Sequence, residues 1–236
     1  MIVVITGASK GIGKAVAKKF ATYGHTLALC ARNIQPLQAA SGELKAAHPQ
    51  CTIYTRAVDI SIKEDVIDFG KWILSEVGTP GVIINNAAYF INSSIHDEED
   101  GLLEKMLTTN LNGAYHLTRT LLPPMVNSRQ GHIFNICSIA SFRGNANGGS
   151  YSISKFALAG LTKNLREELK PHNIKVTGVY PGSVYTDSWE GSGVQPQSII
   201  QASDIAELIY TASQLSAQAC VEDIIIRPLE GERFNS

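Results

Sequence analysis

A tyrosine and a lysine four residues apart form the pair with the clearest chemistry in this sequence. Tyr151 and Lys155 begin a helical pattern that runs to Lys170, so their spacing places both side chains on one face of the helix. An ammonium beside a phenol stabilises the phenolate, and the pKa of such a tyrosine moves from ~10 toward neutrality. The pair therefore predicts a group that exchanges a proton with a substrate oxygen.

A glycine-rich turn follows the first apolar run of the chain. The letters TGASKGIG occupy residues 6–13, directly after Ile2–Ile5 and before a helical segment that runs from Lys14 to Tyr23. Glycines let backbone N–H groups approach a pyrophosphate, and the new helix directs its positive end at the anion. The spacing differs from GxGxxG, and an ordinary strand-to-helix loop is the alternative for this segment alone. The expected cofactor contacts are Gly7, Ser9, Lys10, Gly11, Ile12 and Gly13.

The charge after the second apolar run favours NADP(H) over NAD(H). An NAD site places a carboxylate about 20 residues beyond the turn, where it binds the ribose hydroxyls. This sequence has Cys-Ala-Arg-Asn at positions 30–33 instead. Arg32, with Lys10 in the turn, predicts a pocket for the 2′-phosphate of NADP(H). Two solvated surface cations are the alternative.

Apolar, β-branched runs alternate with helical segments along the whole chain. Such continuous runs are typical of parallel strands that are buried on both faces. The alternation predicts a single α/β domain over residues 1–236, with a doubly wound, mostly parallel seven-stranded sheet of the Rossmann type and helices on both faces. A loop over residues 185–202 is expected to cover the substrate. The seven strands are expected at Ile2–Ile5, Thr26–Cys30, Thr52–Val58, Val82–Ile84, His132–Ile136, Lys175–Val179 and Asp223–Ile226.

Composition argues against several classes of function. The 236 residues are 44% hydrophobic and carry a formal charge of −1, which is typical of a globular chain and argues against nucleic acid as a partner. No apolar run approaches the ~20 residues that cross a bilayer, so we expect no membrane partner. The first residues lack the features of a secretory signal, which predicts a cytoplasmic protein. The four scattered cysteines lack a metal-binding spacing and are expected to be reduced, with no metal bound.

Taken in order, these motifs resemble those of the short-chain dehydrogenase/reductase family, in its small single-domain branch, over nearly the whole chain. The C-terminal run 221–228 and residues 185–189 look more like sepiapterin-reductase-type members than like 3-oxoacyl-carrier-protein reductases. Ala88 departs from the glycine that usually follows Asn-Asn-Ala in the family. Beyond the glycine turn and the Tyr151–Lys155 pair, the matching residues are Asp59-Ile60, Asn85-Asn86-Ala87, Asn110, Ser138, and Pro181-Gly182 with Thr186.

The resemblance implies hydride transfer between a nicotinamide and a carbonyl or alcohol carbon. Tyr151 would be the acid or base, and Ser138 would hold the same substrate oxygen. Lys155 would bind the nicotinamide ribose and lower the tyrosine pKa, and Asn110 would hold a water in the proton relay. Further cofactor contacts would come from Asp59, Ile60, Asn86, Ala87, Pro181, Gly182, Val184 and Thr186, together with Tyr151 and Lys155.

Rival functions remain open at this point. A serine hydrolase would use Ser138 with His132 or His172, although Ser138 lacks the GxSxG context. The acidic run at residues 96–100 is interpreted as the solvated start of a helix, and a metal site is the alternative. A non-enzymatic NADP(H) sensor would need the glycine turn but not the four catalytic residues together. A 3-oxoacyl-carrier-protein reductase is the alternative enzyme.

Substrate and assembly are the least constrained predictions. An apolar pocket suited to a planar or aromatic carbonyl is expected from Tyr185, Trp189, Phe142, Tyr89 and Phe90, unless these side chains only pack the loop. The segments 102–125 and 152–169 carry more apolar residues than one core-facing stripe needs. In the family these helices pack against their copies, so a homodimer or homotetramer is expected.

Overall fold

The computed structural model describes residues 1–144, 146–186 and 193–231. The helices are α1 Gly11–Thr22, α2 Ile34–Ala47, α3 Lys63–Trp72, α4 Leu102–Leu107, α5 Gly113–Ser128, α6 Gly149–Leu169 and α7 Ala202–Ser213. The strands are β1 Ile2–Thr6, β2 Thr26–Ala31, β3 Ile53–Ala57, β4 Val82–Asn85, β5 Gly131–Ile136, β6 Ile174–Pro181, β7 Val184–Tyr185, β8 Ile200–Gln201 and β9 Asp223–Ile226.

Seven of these strands form one parallel sheet in the order β3-β2-β1-β4-β5-β6-β9. From β1 the chain adds strands outward on one side through β2 and β3, and on the other side through β4. The order therefore reverses between β1 and β4, and at such a point the carboxyl ends of the strands leave a crevice for a ligand. The predicted doubly wound, Rossmann-type sheet is confirmed.

Alternate strand residues belong to two separate cores, one on each face of the sheet. Val3 and Ile5 pack with α1, α2 and α7, whereas Val4 packs with α3, α5 and α6. All three side chains are fully buried. Burial on both faces explains why β1 is a continuous apolar run rather than an alternating one.

Two stretches differ from the sequence-based expectation. A π-helical turn at Thr108–Asn112 joins α4 to α5, where a regular helix was expected through residues 102–125. Short parallel strands β7 and β8 pair Val184 with Ile200 and Tyr185 with Gln201, which ties together the two ends of the expected loop. Residues 187–192 of that loop, including Trp189, lie outside the described residues.

None of the described helices has the length and apolar composition that crossing a membrane requires.

Candidate active site

The glycine turn between β1 and α1 has a backbone that only glycines adopt easily. Gly7 has φ +65° and Gly11 has φ +55°, both in the left-handed region. A Cβ on Gly13 would collide with the Gly7 carbonyl oxygen and lie 2.6 Å from Nδ2 of Asn86. The side chain of Lys10, the N-cap residue of α1, makes no capping hydrogen bond to this helix. The first N–H groups of this helix are therefore placed to bind an anion.

The end of β4 holds this turn in place through side-chain hydrogen bonds. Oγ1 of Thr6 accepts from the backbone N–H groups of Asn86 (3.0 Å) and Ala87 (2.9 Å). In return, Nδ2 of Asn86 donates to the carbonyl oxygens of Thr6 (2.9 Å) and Gly7 (3.1 Å). The segment after β4 and the glycine turn therefore form one rigid unit on the crevice between β1 and β4.

Basic side chains lie at the end of the crevice near β2. Lys10 and Arg32 are exposed, and neither makes an ion pair with another described residue. The Ser61 N–H (2.9 Å) and hydroxyl (2.6 Å) donate to Oδ1 of Asp59. These bonds hold the pKa of Asp59 below its usual value, with a smaller contribution from the Arg32 guanidinium. Asp59 thus stays ionised and committed to Ser61, while Lys10 and Arg32 are available to a ligand.

The crevice opens into a cavity of about 770 Å³, and a smaller one of about 190 Å³ adjoins it at the carboxyl ends of β5 and β6. The large cavity falls within the range of about 300–1,000 Å³ typical of small-molecule sites. Lys155 and Pro181 line the smaller cavity. Gly13 and Asn110 line neither and support the walls from behind. The other predicted site residues line the large cavity: Gly7, Ser9, Lys10, Gly11, Ile12, Arg32, Asp59, Ile60, Asn86, Ala87, Ser138, Tyr151, Gly182, Val184 and Thr186.

Ser138, Tyr151 and Lys155 converge where the two cavities meet. Ser138 follows β5 and caps a short 3₁₀ turn, and its Oγ accepts from the backbone N–H of Ala140 (3.1 Å). Ser138 and Tyr151 both line the large cavity and the smaller one. Lys155 is 2% exposed, and its Nζ donates to the carbonyl oxygen of Ile136 (2.8 Å) and lies 5.7 Å from the centre of the Tyr151 ring. The helical spacing of Tyr151 and Lys155 thus brings both to one site, as predicted.

The pKa of Tyr151 differs in direction from the sequence-based expectation. Burial raises the pKa of Tyr151 to about 12, although the neighbouring Ser138 hydroxyl acts in the opposite direction. Burial also lowers the pKa of Lys155 to about 8. The expected shift of the phenol toward neutrality is therefore wrong for the chain described here. Loss of solvation is the largest cause of the shift at both groups, and the Lys155 ammonium donates to the Ile136 carbonyl.

Asn110 lies in the π-turn and is fully engaged by neighbouring protein groups. Its Oδ1 accepts from the Tyr89 N–H (2.7 Å), and its Nδ2 donates to the Tyr89 carbonyl oxygen (2.9 Å) and to Oγ of Ser154 (2.9 Å). Ser154 in turn donates to the Tyr151 carbonyl oxygen (2.7 Å). Asn110 therefore connects the chain after β4 to helix α6. Sequence reasoning missed Ser154, although it lies inside the YSISK motif.

A buried line of amides and hydroxyls joins the sheet to the same helix. Nδ2 of Asn85 donates to Oδ1 of Asn135 (2.8 Å), and Nδ2 of Asn135 donates to Oγ1 of Thr162 on α6 (2.9 Å). Asn135 and Thr162 are fully buried. Because a buried amide is costly unless it is paired, these bonds fix the helix against β4 and β5. An asparagine inside the apolar run HIFNI was the sequence signal for this contact.

Aromatic side chains form part of the wall beside Tyr151. The ring of Phe90 meets the Tyr151 ring edge to face with centroids 4.7 Å apart, and both residues line the large cavity with Tyr89. Phe142 packs on Tyr180 instead, with centroids 4.3 Å apart. Neither Phe142 nor Tyr185 lines either cavity. The structure thus places two of the five expected pocket aromatics, Tyr89 and Phe90, at the site.

The site lacks the geometry of a serine hydrolase. His132 is buried at the start of β5, bonds to Oγ1 of Thr177 (2.7 Å) and packs on Phe134. Burial lowers the pKa of His132 to about 3. His172 lies in the turn after α6 and lines neither cavity. Neither histidine is therefore placed to take a proton from Ser138.

Within residues 1–144, 146–186 and 193–231, no three His, Cys, Asp or Glu side chains are grouped to hold a metal ion.

Comparison with known proteins agrees with this architecture. A model of the short chain dehydrogenase family matches residues 1–196. An uncharacterized oxidoreductase of Staphylococcus epidermidis is 29% identical over 228 residues, covering 97% of this chain and 97% of that protein. A sepiapterin reductase of Chlorobaculum tepidum is 31% identical over 239 residues, covering 98% of this chain and 97% of that protein.

A solved structure of similar architecture holds a dinucleotide. The crystal structure of a metagenomic short-chain oxidoreductase in complex with NADP is 30% identical with a TM-score of 0.85, covering 97% of this chain and 96% of that chain. The family match spans most of the sequence, and the relatives are covered almost end to end. From its sequence and its fold together, the chain belongs to the short-chain dehydrogenase family of oxidoreductases.

Proposed function

We propose that this chain is an NADPH-dependent reductase that converts a small carbonyl compound to an alcohol. The observation that carries the proposal is the meeting of Ser138, Tyr151 and Lys155 at a cavity whose other end is the glycine turn. A cofactor laid along this cavity would place its phosphates at the turn and its nicotinamide beside Tyr151. The cavity then retains the space beside Phe90 for the substrate.

The cofactor would be held by groups that the crevice already presents. The N-terminus of α1 and the left-handed glycines fit a pyrophosphate, and the Asp59–Ile60 pair fits the adenine end. Lys155 would bind the nicotinamide ribose from the smaller cavity, where Pro181, Gly182, Val184 and Thr186 form the opposite wall. When bound, the nicotinamide would supply the hydride that adds to the carbonyl carbon.

Tyr151 would supply the proton that the reduced carbonyl oxygen needs. With its pKa raised to about 12, the phenol is protonated at neutral pH and is therefore an acid rather than a base. Ser138 Oγ accepts from the Ala140 N–H, and its hydroxyl hydrogen would be donated to the substrate oxygen when a substrate is bound. These two donors would stabilise the negative charge that develops on that oxygen. The protonated phenol is the form that carbonyl reduction requires.

The phenolate left behind would be stabilised and reprotonated from the side of Lys155. One hydrogen of Nζ goes to Ile136, which leaves two for the ribose and for a proton relay. Both amide hydrogens of Asn110 already go to Tyr89 and Ser154. A water in this relay would therefore be held by the backbone of the π-turn rather than by the Asn110 side-chain amide.

Preference for NADPH over NADH is part of the proposal. It is supported by Lys10 and Arg32 at the cavity end near β2, where no carboxylate follows the strand. We expect Arg32→Asp to reverse the preference, because a carboxylate repels the 2′-phosphate and accepts bonds from ribose hydroxyls. The ratio of the NADPH and NADH dissociation constants should change by about 10²-fold. Cofactor fluorescence titrations measure both constants.

A matched control distinguishes the effect of the charge at position 32 from the effect of the protein's net charge. Lys18→Asp makes the same charge change on the exposed side of α1, outside the cavity, and should leave the ratio unaltered. If wild-type protein bound NADH as tightly as NADPH, the assignment of Arg32 and Lys10 to the 2′-phosphate would be lost.

For the substrate we propose a planar or aromatic carbonyl of the kind that sepiapterin reductases take. The Phe90 ring beside Tyr151 and the similarity to the Chlorobaculum protein support this choice. NADPH oxidation should be followed with a panel of carbonyls that includes a pterin diketone and a β-ketoacyl thioester. Turnover of the thioester alone would favour a 3-oxoacyl-carrier-protein reductase. Tight NADPH binding without turnover of any carbonyl would favour a cofactor sensor.

We further propose a single-domain subunit that assembles into a homodimer or homotetramer. Large apolar side chains on α5 and α6 support this, since Tyr115 is 39%, Ile153 42% and Phe156 45% exposed. The four free cysteines are compatible with the reducing cytoplasm, where NADPH is also available.

Light scattering tests the assembly. We expect a mass of two or four times the 25.5 kDa subunit at micromolar concentration. Phe156→Glu would place a charge in the proposed contact and should shift the mass toward the subunit value. Wild-type protein that scatters as a monomer would contradict the proposal.

A further inference from the structure

A carboxylate from a distant part of the chain caps the helix that carries Tyr151 and Lys155. Glu98 follows a short 3₁₀ turn at Ile95–Asp97, between β4 and α4. Its Oε1 accepts from the backbone N–H of Ser150 (2.7 Å), and its Oε2 accepts from the Ser150 hydroxyl. Ser150 is the second residue of α6, is 1% exposed and directly precedes Tyr151.

The acidic run thus has a different role from the solvated helix start expected from the sequence. Helix α4 begins only at Leu102, and His96 and Asp97 pair with each other at the surface. Helix α6 has no acidic residue in its first turn, and Gly148 at its N-cap offers no side chain. Glu98 therefore supplies both the missing acceptor and the negative charge that a helix N-terminus favours.

The contact depends on a glycine. Gly149 has φ +26°, and a Cβ there would collide with Oε1 of Glu98 and lie 2.6 Å from the Ser93 carbonyl oxygen. Further bonds join the same two segments, because the Ser94 hydroxyl donates to the Ala146 carbonyl oxygen (3.0 Å) and to Oδ1 of Asn147 (3.1 Å). The segment from residue 89 to residue 98 is therefore fastened to the start of α6.

The same segment also reaches the reacting group. Its Phe90 ring packs on the Tyr151 ring, and the backbone of Tyr89 is held by Asn110. Loss of the Glu98 contact would release Ser150, the residue next to Tyr151, and the cavity wall that packs on Tyr151. We propose that Glu98 is a positioning residue that holds Tyr151 at the substrate oxygen by capping α6 from the segment after β4.

This inference rests on the proposed reductase function, and its test uses the protein with NADPH and a carbonyl that the wild type reduces. We expect Glu98→Ala to lower kcat by about 10-fold, because a small displacement of the acid is costly, while KM and the NADPH dissociation constant change by no more than about 2-fold. Glu98→Gln keeps an acceptor for the Ser150 N–H and should retain about half of kcat. Rescue by glutamine distinguishes positioning from a need for the carboxylate charge.

Asp223→Ala is the matched control. Asp223 also anchors α6 from another segment, through Arg166 (2.7 Å), but at the opposite end of the helix. The Asp223→Ala variant should lower the melting temperature at least as much as Glu98→Ala does, and its kcat should stay within about 2-fold of the wild-type value. Ser150→Ala removes the hydroxyl bond to Glu98 and keeps the bond from the backbone N–H. Because alanine is a good helix former, we expect this variant to fold and to lower kcat by about 3-fold.

Hydrogen exchange of peptides covering residues 146–156 gives a readout that is independent of turnover. Faster exchange in Glu98→Ala than in Asp223→Ala is expected, since the Ser150 N–H loses its acceptor. Absence of wild-type turnover would count against the proposed function. The exchange result would still test whether Glu98 caps helix α6. Unchanged kcat in Glu98→Ala and Ser150→Ala, or an equal loss in Asp223→Ala, would overturn the inference.

Discussion

Replacing Tyr151 with phenylalanine is expected to lower kcat for carbonyl reduction by about 10²-fold or more, the usual contribution of a positioned acid. The change removes one oxygen and leaves the ring to pack against Phe90 as before. The NADPH dissociation constant should hardly change, because in the proposed binding mode the cofactor phosphates would lie at the glycine turn, at the other end of the cavity. Steady-state kinetics and a fluorescence titration measure the two quantities.

The matched control for this variant is Tyr23→Phe, which removes a phenol oxygen from an exposed tyrosine that stacks on Tyr210 and lines neither cavity. It should leave kcat and NADPH binding unaltered. Near-normal kcat in Tyr151→Phe with a genuine substrate would show that the proton comes from another group, whatever the fold.

Lys155→Met is expected to remove activity and to stabilise the fold at the same time. A pKa lowered by burial from 10.5 to about 8 means that the ammonium costs the folded state about 3 kcal/mol at neutral pH. Methionine has a similar shape and no charge, but it leaves the Ile136 carbonyl without its partner. The free energy of unfolding at pH 7 should therefore rise by about 1–2 kcal/mol, while kcat falls by about 10²-fold.

The stability difference between Lys155→Met and the wild type should depend on pH in a defined direction. The folded-state pKa lies below the unfolded value, so the cost of the charged lysine is fully present below pH 8 and is relieved as the pH rises from about 8 toward 10.5. The stability advantage of Lys155→Met should therefore shrink over that interval. Denaturant melts at pH 7 and pH 10 measure it, with the exposed Lys163→Met on the same helix as control. A variant that is less stable at pH 7 and still active would contradict both parts.

The strands and the glycine turn were predictable because their causes are local. A run such as Ile2–Ile5 is apolar at every position since both faces of the sheet are covered, and that pattern is visible without a structure. The spacing of Gly7, Gly11 and Gly13 follows from backbone angles and close approaches at those positions. The convergence of Tyr151 and Lys155 follows from the period of one helix.

Features that depend on distant partners were not predictable in the same way. The π-turn at Asn110 is accompanied by bonds to Tyr89 and Ser154, which lie 21 and 44 residues away in the sequence. Glu98 caps a helix that begins about 50 residues further on, so nothing near either segment indicates the pair. The direction of the Tyr151 pKa shift depends on how much solvent the folded chain removes, which residue spacing does not report.

The short pair of strands β7 and β8 has a consequence for how this enzyme type diversifies. It brings Tyr185 and Gln201 side by side, so that the segment between them begins and ends at neighbouring points of the fold. The entropic cost of closing such a loop grows only slowly with its length, by about 0.6 kcal/mol for each doubling. Insertions and exchanges there are therefore cheap and leave the seven-stranded sheet and the glycine turn untouched. Under the proposed function, a graft of this segment between relatives would be a direct route to altered substrate preference in a library, with the proposed hydride and proton chemistry left unchanged.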